Sequence, residues 1–359
     1  MHGGNNPKKL FNLDLHQSVI EDVKDIVKTL YGNNIEITNW SISNHNHYFG
    51  KPTADVKHVN QSTWRDFDMD MIKRFQDEYD TMLSTYDGFI ISHTPVFMML
   101  YEKYNKPIIV INSCRYDQPF CWNKNTKMLE ALKASIQRMN ASKQLIMVSN
   151  NLADQLYIKE NTGVEGIYIP SMCLYTNTKY NPKKSSHVIF NNKVKDMFPK
   201  SSVLVQRPDN YTFNDLLEYN SIIHLPYDIS AMALFEQYFA GMPLFFPTKE
   251  FYKKLIKNNE VEFIVRYDKW GESLSDEEIE KWLKNADYYN FKYINYYSSF
   301  EDCVSKVEAF KDTEKDARLQ HIEGVKKDTL DKWKKIFDEH IMNKQSGGGE
   351  HTCKYVSTR

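Results

Sequence analysis

The chain has 359 residues, 41% of them hydrophobic and 26% charged, with 46 Lys and Arg against 47 Asp and Glu for a net charge of −1. That composition describes a folded protein with room for two domains of ordinary size and excludes an intrinsically disordered chain. The balanced charge excludes a protein that draws nucleic acid or an anionic membrane through its overall field.

Five cysteines (Cys114, Cys121, Cys173, Cys303, Cys353) form no CxxC pair. Their scatter speaks against a disulfide framework or a zinc site and for a reducing compartment. No run of 18 apolar residues occurs, and the opening MHGGNNPKKL lacks the apolar centre of a signal peptide. A cytoplasmic protein with no transmembrane segment is expected. Aromatics reach 14%, which suits carbohydrate stacking, although packing accounts for most of them.

Residues 9–15 (KLFNLDL) predict a first strand, and 17–30 place Val19, Ile20, Val23, Ile26, Val27 and Leu30 on one helical face. Asp14 and His16 stand at the junction, where open α/β sheets gather ligands. A second strand is expected at 34–38, and 40–64 reads as a mobile polar loop at the cleft mouth, since the i, i+2 spacing of His45 and His47, with His58 beyond, is weak evidence for a metal site, the alternative. An amphipathic helix over 66–85 precedes a buried strand at 86–92, the turn His93-Thr94-Pro95 and a helix over 96–104. The next strand, 106–112, ends at Ser113-Cys114-Arg115-Tyr116-Asp117. Both turns fall at the sheet edge that carries His16, so His93, Thr94 and Arg115 are acceptor-side candidates and Asp117 a candidate partner for a base. An ordinary loop ion pair between Arg115 and Asp117 is the alternative.

A helix over 127–140, a strand over 144–149, a helix through 159 and a short strand at 166–170 complete the first unit. The polar, aperiodic stretch 171–186 reads as a linker. A strand at 187–190 (HVIF), a strand ending at Arg207, and a helix over 211–219 open the second unit.

The stretch from 218 to 247 organises the chain. Residues 221–225 are a short apolar run, Pro226 ends it, and Asp228 and Ser230 offer oxygens that cap a helix start. A helix over 231–240 follows, closed by Gly241 in a left-handed cap with Pro243 beyond. The helix is apolar almost all round except at Glu236. Its N-terminus, at the carboxyl end of a parallel strand, suits a phosphate at residues 228–231. Glu236 stands about 9 Å along the axis from Ser230, at ~1.5 Å per residue, which suits a diol. A strand at 244–246, a helix at 249–257, a strand at 261–265 and a helix at 275–284 are expected beyond it.

The pattern Asp228, seven residues, Glu236, then Gly241-x-Pro243 resembles the nucleotide-sugar segment of GT-B glycosyltransferases. VSNNLADQLYI with IYIPS is similar to the passage that closes their N-terminal domain. This chain departs from the family in having Asp at the first acidic position and Asp-Ile-Ser in place of a glycine-rich turn. The resemblance implies two Rossmann-like, doubly wound α/β domains facing a cleft. It implies that Glu236 binds ribose hydroxyls, that Asp228 contacts the sugar or its turn, and that Ser230 with the N–H groups of Ala231 and Met232 faces the diphosphate. Lys193 and Arg207 are the cations it suggests for the phosphates. By its place after the first strand His16 is a candidate for the general base of inverting members, with a histidine that merely caps the following helix as the alternative; Asp14 and Asp117 are the other catalytic candidates. The acidic-x7-Glu spacing is commoner in retaining members, so the stereochemistry stays open.

The domains expected are 1–180 for the acceptor, 181–300 for the nucleotide-sugar, 301–345 as helices packing back on the first domain, and 346–359 as a disordered tail. Residues 287–300 resemble the return crossing. The implied activity is transfer of a sugar from a nucleoside-diphosphate sugar, as co-substrate and with no metal or other cofactor, to a hydroxyl of a glycan, glycoside or glycoprotein acceptor. A nucleotide-sugar epimerase of the same fold and a non-catalytic nucleotide- or sugar-binding protein stay open as alternatives.

Overall fold

The structure, a computed structural model, describes residues 6–43, 46–261, 263 and 274–343. The strand expected at 261–265 falls largely outside these residues, as do His45 and the tail 346–359.

Strand β1 (Lys8–Asp14) leads through α1 (Ser18–Tyr31) to β2 (Ile35–Ser41), α2 (Met69–Leu83), β3 (Gly88–Ile91) and β4 (Ile108–Asn112). Then come α3 (Phe120–Asn123), α4 (Thr126–Ala141), β5 (Leu145–Ser149), α5 (Leu152–Thr162) and β6 (Ile167–Tyr168). The six strands pair in the order β2-β1-β3-β4-β5-β6, all parallel. Parallel strands need covered faces, and β3, β4 and β5 are buried along their whole length. Helix α1 buries the stripe Val19, Ile20, Val23, Ile26 and Val27 that its periodicity marks out.

The helix expected over 96–104 is two short 3-10 turns, Pro95–Leu100 and Glu102–Tyr104. Every residue of the first turn is buried, and Tyr101 stacks on Phe89 of β3 at 4.3 Å. The first turn, buried at every residue, has no exposed face for an amphipathic α-helix to offer.

The second sheet is built from β7 (His187–Ile189), β8 (Leu204–Gln206), α6 (Phe213–Leu217), β9 (Ser221–Ile223), α7 (Met232–Phe239) and β10 (Leu244–Pro247). Helices α8 (Lys249–Lys257), α9 (Asp276–Lys284) and α10 (Asp287–Asn290) lead to β11 (Ile294–Tyr297). Its order is β11-β10-β9-β7-β8, again all parallel. In each sheet the order reverses beside the first strand of the unit, which creates the crevice where such sheets bind ligands.

The stretch read as a return crossing therefore holds a strand of the second sheet. Tyr297 is fully buried in a cluster with Phe245, Cys303 and Val307, which also fixes α11 (Phe300–Glu308) on the second unit. The crossing is made by α12 (Lys315–Phe337), which runs about 35 Å at ~1.5 Å per residue. Near its start Arg318 forms a bidentate pair with Asp312 (2.7 and 2.6 Å) and donates from Nε to the Gly241 carbonyl at 3.1 Å. Near its end Phe337 packs on Tyr31 of α1, and the Lys332 ammonium donates to the Tyr168 carbonyl of β6. Among the described residues no helix is long and apolar enough to cross a membrane.

Gly241 follows α7 with φ +85°, the left-handed close that its sequence position predicts, and a Cβ there would collide with Leu319 of α12. Gly241→Ala is expected to cost about 1–2 kcal/mol from the left-handed penalty, the far end of the half-buried Leu319 side chain shifting to admit the Cβ. A shift of the urea midpoint to lower concentration checks it; an unchanged midpoint would show that the left-handed turn carries no penalty for a Cβ.

Candidate active site between the two sheets

The carboxyl ends of β1, β3 and β4 face the turn that joins β9 to α7. On the first unit, Asp14 ends β1 and is fully buried. Its Oδ2 accepts from the backbone N–H groups of Ser92 (2.9 Å), His93 (2.7 Å) and Thr94 (3.1 Å), and its Oδ1 from Leu15 (2.6 Å). Asp14 is thus the post that shapes the turn after β3; it lies behind the cleft rather than in it. The turn it shapes carries His93, whose ring stacks on that of His16 at 4.3 Å. His16 itself is exposed and lines the cleft with His93 and Arg115. Burial holds His93 below the usual histidine range, with Asp14 opposing and Arg115 adding to the shift.

Two further candidates stand back. Thr94 is buried, with its Oγ1 at 3.1 Å from His93 Nδ1, so it supports that ring. Asp117 is buried and accepts from the Tyr157 hydroxyl at 2.6 Å. It lines neither of the two cavities described below.

On the second unit the helix start differs from expectation. Ala231 is the N-cap of α7, with no side-chain cap. Asp228 Oδ1 accepts instead from Ile229 N at 2.7 Å, and the Ile229 carbonyl accepts from Asp287 N at 3.1 Å. The short turn folds back on itself and on α10, leaving the first N–H groups of α7 without a side-chain oxygen. Burial raises the Asp228 carboxyl above its ordinary range, while Arg115 and the N–H groups of Ile229 and Ser230 pull it down.

The turn borders two cavities. One, about 330 Å³, lies between the units, with His16, His93 and Arg115 on one side and residues 227–233 on the other. The second, about 640 Å³, opens into the second unit and is lined by Lys193, Arg207, His224, Phe246 and Tyr288 together with Tyr227, Asp228, Ser230 and Ala231. Both volumes fall within the range of small-molecule sites. Arg207 lies over the rings of Phe190 and Tyr211, each at 5.0 Å, and donates to the Tyr211 hydroxyl at 3.0 Å. Met232 lines only the interdomain cavity. Burial pushes the His224 imidazole down to about 4, and its Nε2 lies 2.7 Å from Gln237 Oε1. As a neutral ring donating to that amide, it keeps Nδ1 as an acceptor.

Glu236 is not brought into either cavity. It lines a crevice of about 20 Å³ with Thr178, Tyr211 and Phe213, and its Oε1 accepts from the linker's Tyr175 hydroxyl at 2.5 Å. Phe190 partitions that crevice from the 640 Å³ cavity, lining both. Burial raises the Glu236 carboxyl and the Tyr175 bond opposes the rise. The same linker is tied to α1, where the buried Asp22 carboxylate accepts from Met172 N (2.8 Å) and Leu174 N (3.0 Å). Burial lifts Asp22 to about 7 against those bonds. Tyr175, His224 and Tyr227 are site-lining or site-contacting residues that the sequence reading passed over. Tyr227 had one signal, an aromatic placed in a Pro-bounded turn where no periodic face requires it.

Among the described residues no group of three or more His, Cys, Asp or Glu is arranged to hold a metal ion. The chemistry on offer is cationic and hydrogen-bonding: three cations, a helix start and an exposed imidazole around two joined cavities.

Two parallel Rossmann-like sheets meeting at a cleft constitute the GT-B architecture seen in glycosyltransferases. Among solved structures the chain is similar to the glycotransferase of kitacinnamycin, with TM-score 0.50 and 8% identity over 94% of this chain and 100% of that one. The glycosyltransferase SnogD from Streptomyces nogalater aligns with TM-score 0.44 and 11% identity over the same shares. At such identities the likeness is one of fold. No protein-family profile matches the chain, and no curated protein sequence does.

Proposed function

We propose that the protein is a glycosyltransferase: a nucleoside-diphosphate sugar occupies the second unit, and its sugar passes to a hydroxyl of a glycan, glycoside or protein acceptor held by the first. The observation that carries this reading is the shared wall. Residues 227, 228, 230, 231 and 233 border both cavities, so a ligand anchored in the larger one can present its far end to His16, His93 and Arg115. Lys193 and Arg207 on the cavity wall and the uncapped start of α7 suit a diphosphate.

In the reaction, the acceptor oxygen forms a bond to the anomeric carbon, the bond from that carbon to the phosphate oxygen breaks, and the nucleoside diphosphate leaves with the electron pair. The acceptor proton goes to the His16 imidazole, the exposed base on the acceptor side of the cleft. Charge developing on the leaving phosphate is met by the α7 N–H groups and the neighbouring cations. A positioned base of this kind is what an inverting reaction uses.

Thermal denaturation with UDP, GDP, dTDP, ADP and CMP tests the donor site. A nucleotide at a hundred times its dissociation constant should stabilise the protein by about 2.7 kcal/mol. A selective rise in melting temperature identifies the base, and no rise with any of the five overturns the donor reading.

A further inference from the structure

Tyr227 stands at the junction of the two cavities and lines both. It is 48% exposed, and among the described residues its side chain has no hydrogen bond and no ring contact. The other aromatic groups on the cavity wall are engaged. Phe246 is stacked between His224 (4.6 Å) and Tyr288 (4.8 Å), and Phe190 lies beneath Arg207. The backbone around Tyr227 is held on both sides. The Pro226 carbonyl accepts from Tyr252 OH at 2.5 Å, Asp228 closes on Ile229 N, and the Ile229 carbonyl accepts from Asp287 N at 3.1 Å. A fixed backbone presenting an unengaged aromatic ring has the form of a preorganised stacking platform.

We propose that Tyr227 is the platform for the pyranose ring of the donor, taking the C–H face of the sugar where the donor cavity meets the acceptor cleft. This rests on the glycosyltransferase reading and names what that reading leaves open: which side chain recognises the transferred group. A nucleoside diphosphate anchored in the larger cavity extends its sugar toward the shared wall, and Tyr227 is the aromatic residue common to both sides of it. The adjoining Asp228 offers an acceptor for a sugar hydroxyl. A donor with an uninterrupted C–H face is favoured over one with an axial hydroxyl on that face.

The test is calorimetric titration of wild type, Tyr227→Ala and Tyr227→Phe with four pairs: UDP and UDP-glucose, dTDP and dTDP-glucose, GDP and GDP-mannose, ADP and ADP-glucose. For the pair that binds, Tyr227→Ala should weaken the sugar nucleotide by about tenfold and leave the bare diphosphate within about twofold, while Tyr227→Phe keeps both. Equal weakening of diphosphate and sugar nucleotide, or no change in either, overturns the proposal. If wild type binds no member of any pair, the donor reading itself falls and this inference falls with it. Thermal melts of the variants verify that the exposed position leaves the fold intact.

Discussion

Asp14→Ala should destabilise the first unit by about 3–5 kcal/mol, because it strands the N–H groups of Leu15, Ser92, His93 and Thr94 at roughly 1–3 kcal/mol each before relaxation. The turn after β3 would lose its shape, and with it the seat of His93 beside His16. Asp14→Asn is the informative companion. It keeps one oxygen for these donors but turns an NH₂ group toward others, so an intermediate loss is expected. Urea unfolding followed by a probe in the first unit measures both, since two domains need not melt together. An alanine variant that unfolds at the wild-type midpoint would show that the turn holds without its post.

The second large effect concerns chemistry rather than stability. His16→Ala should lower kcat by about 10²–10⁴-fold, the ordinary contribution of a positioned general base. Its affinity for the nucleoside diphosphate should stay at the wild-type level, because His16 lines the interdomain cavity and not the one in the second unit. Exposure of the side chain means that folding is spared. Single-turnover rates with saturating donor and acceptor give the comparison; turnover within threefold of wild type would remove His16 from the mechanism.

Much of the architecture was legible because it is written in local pattern. Short apolar runs bounded by turns mark most of the parallel strands, and the turn at Pro226 with the helix and Gly241 beyond it is visible in a single window of sequence. β11 escaped because it is an edge strand of the second sheet, pairing only with β10. Such a strand tolerates the Asn and Tyr residues that made 294–297 look like a crossing. Side-chain roles were harder, since their partners are remote in the chain. Asp14 meets residues 78 to 80 positions away, and Glu236 meets Tyr175 across 61. A carboxylate at a strand end reads identically whether it faces solvent, substrate or a neighbouring loop. Cavities are a further step removed, being made by what the chain leaves unfilled.

Among the described residues the polypeptide passes between the two sheets twice, once at 171–177 and once along α12. Two fixed attachments define a line, and rigid bodies joined at two points can turn about that line but cannot slide along each other or twist freely. Opening of the cleft is therefore expected to be a hinge about that line, with the spine on the side of these two crossings. Because α12 is a continuous helix, adding one residue within it would turn one end by about 100° relative to the other. Arg318 would swing away from the Gly241 carbonyl, so the register of that helix is expected to bear on the angle between the two units.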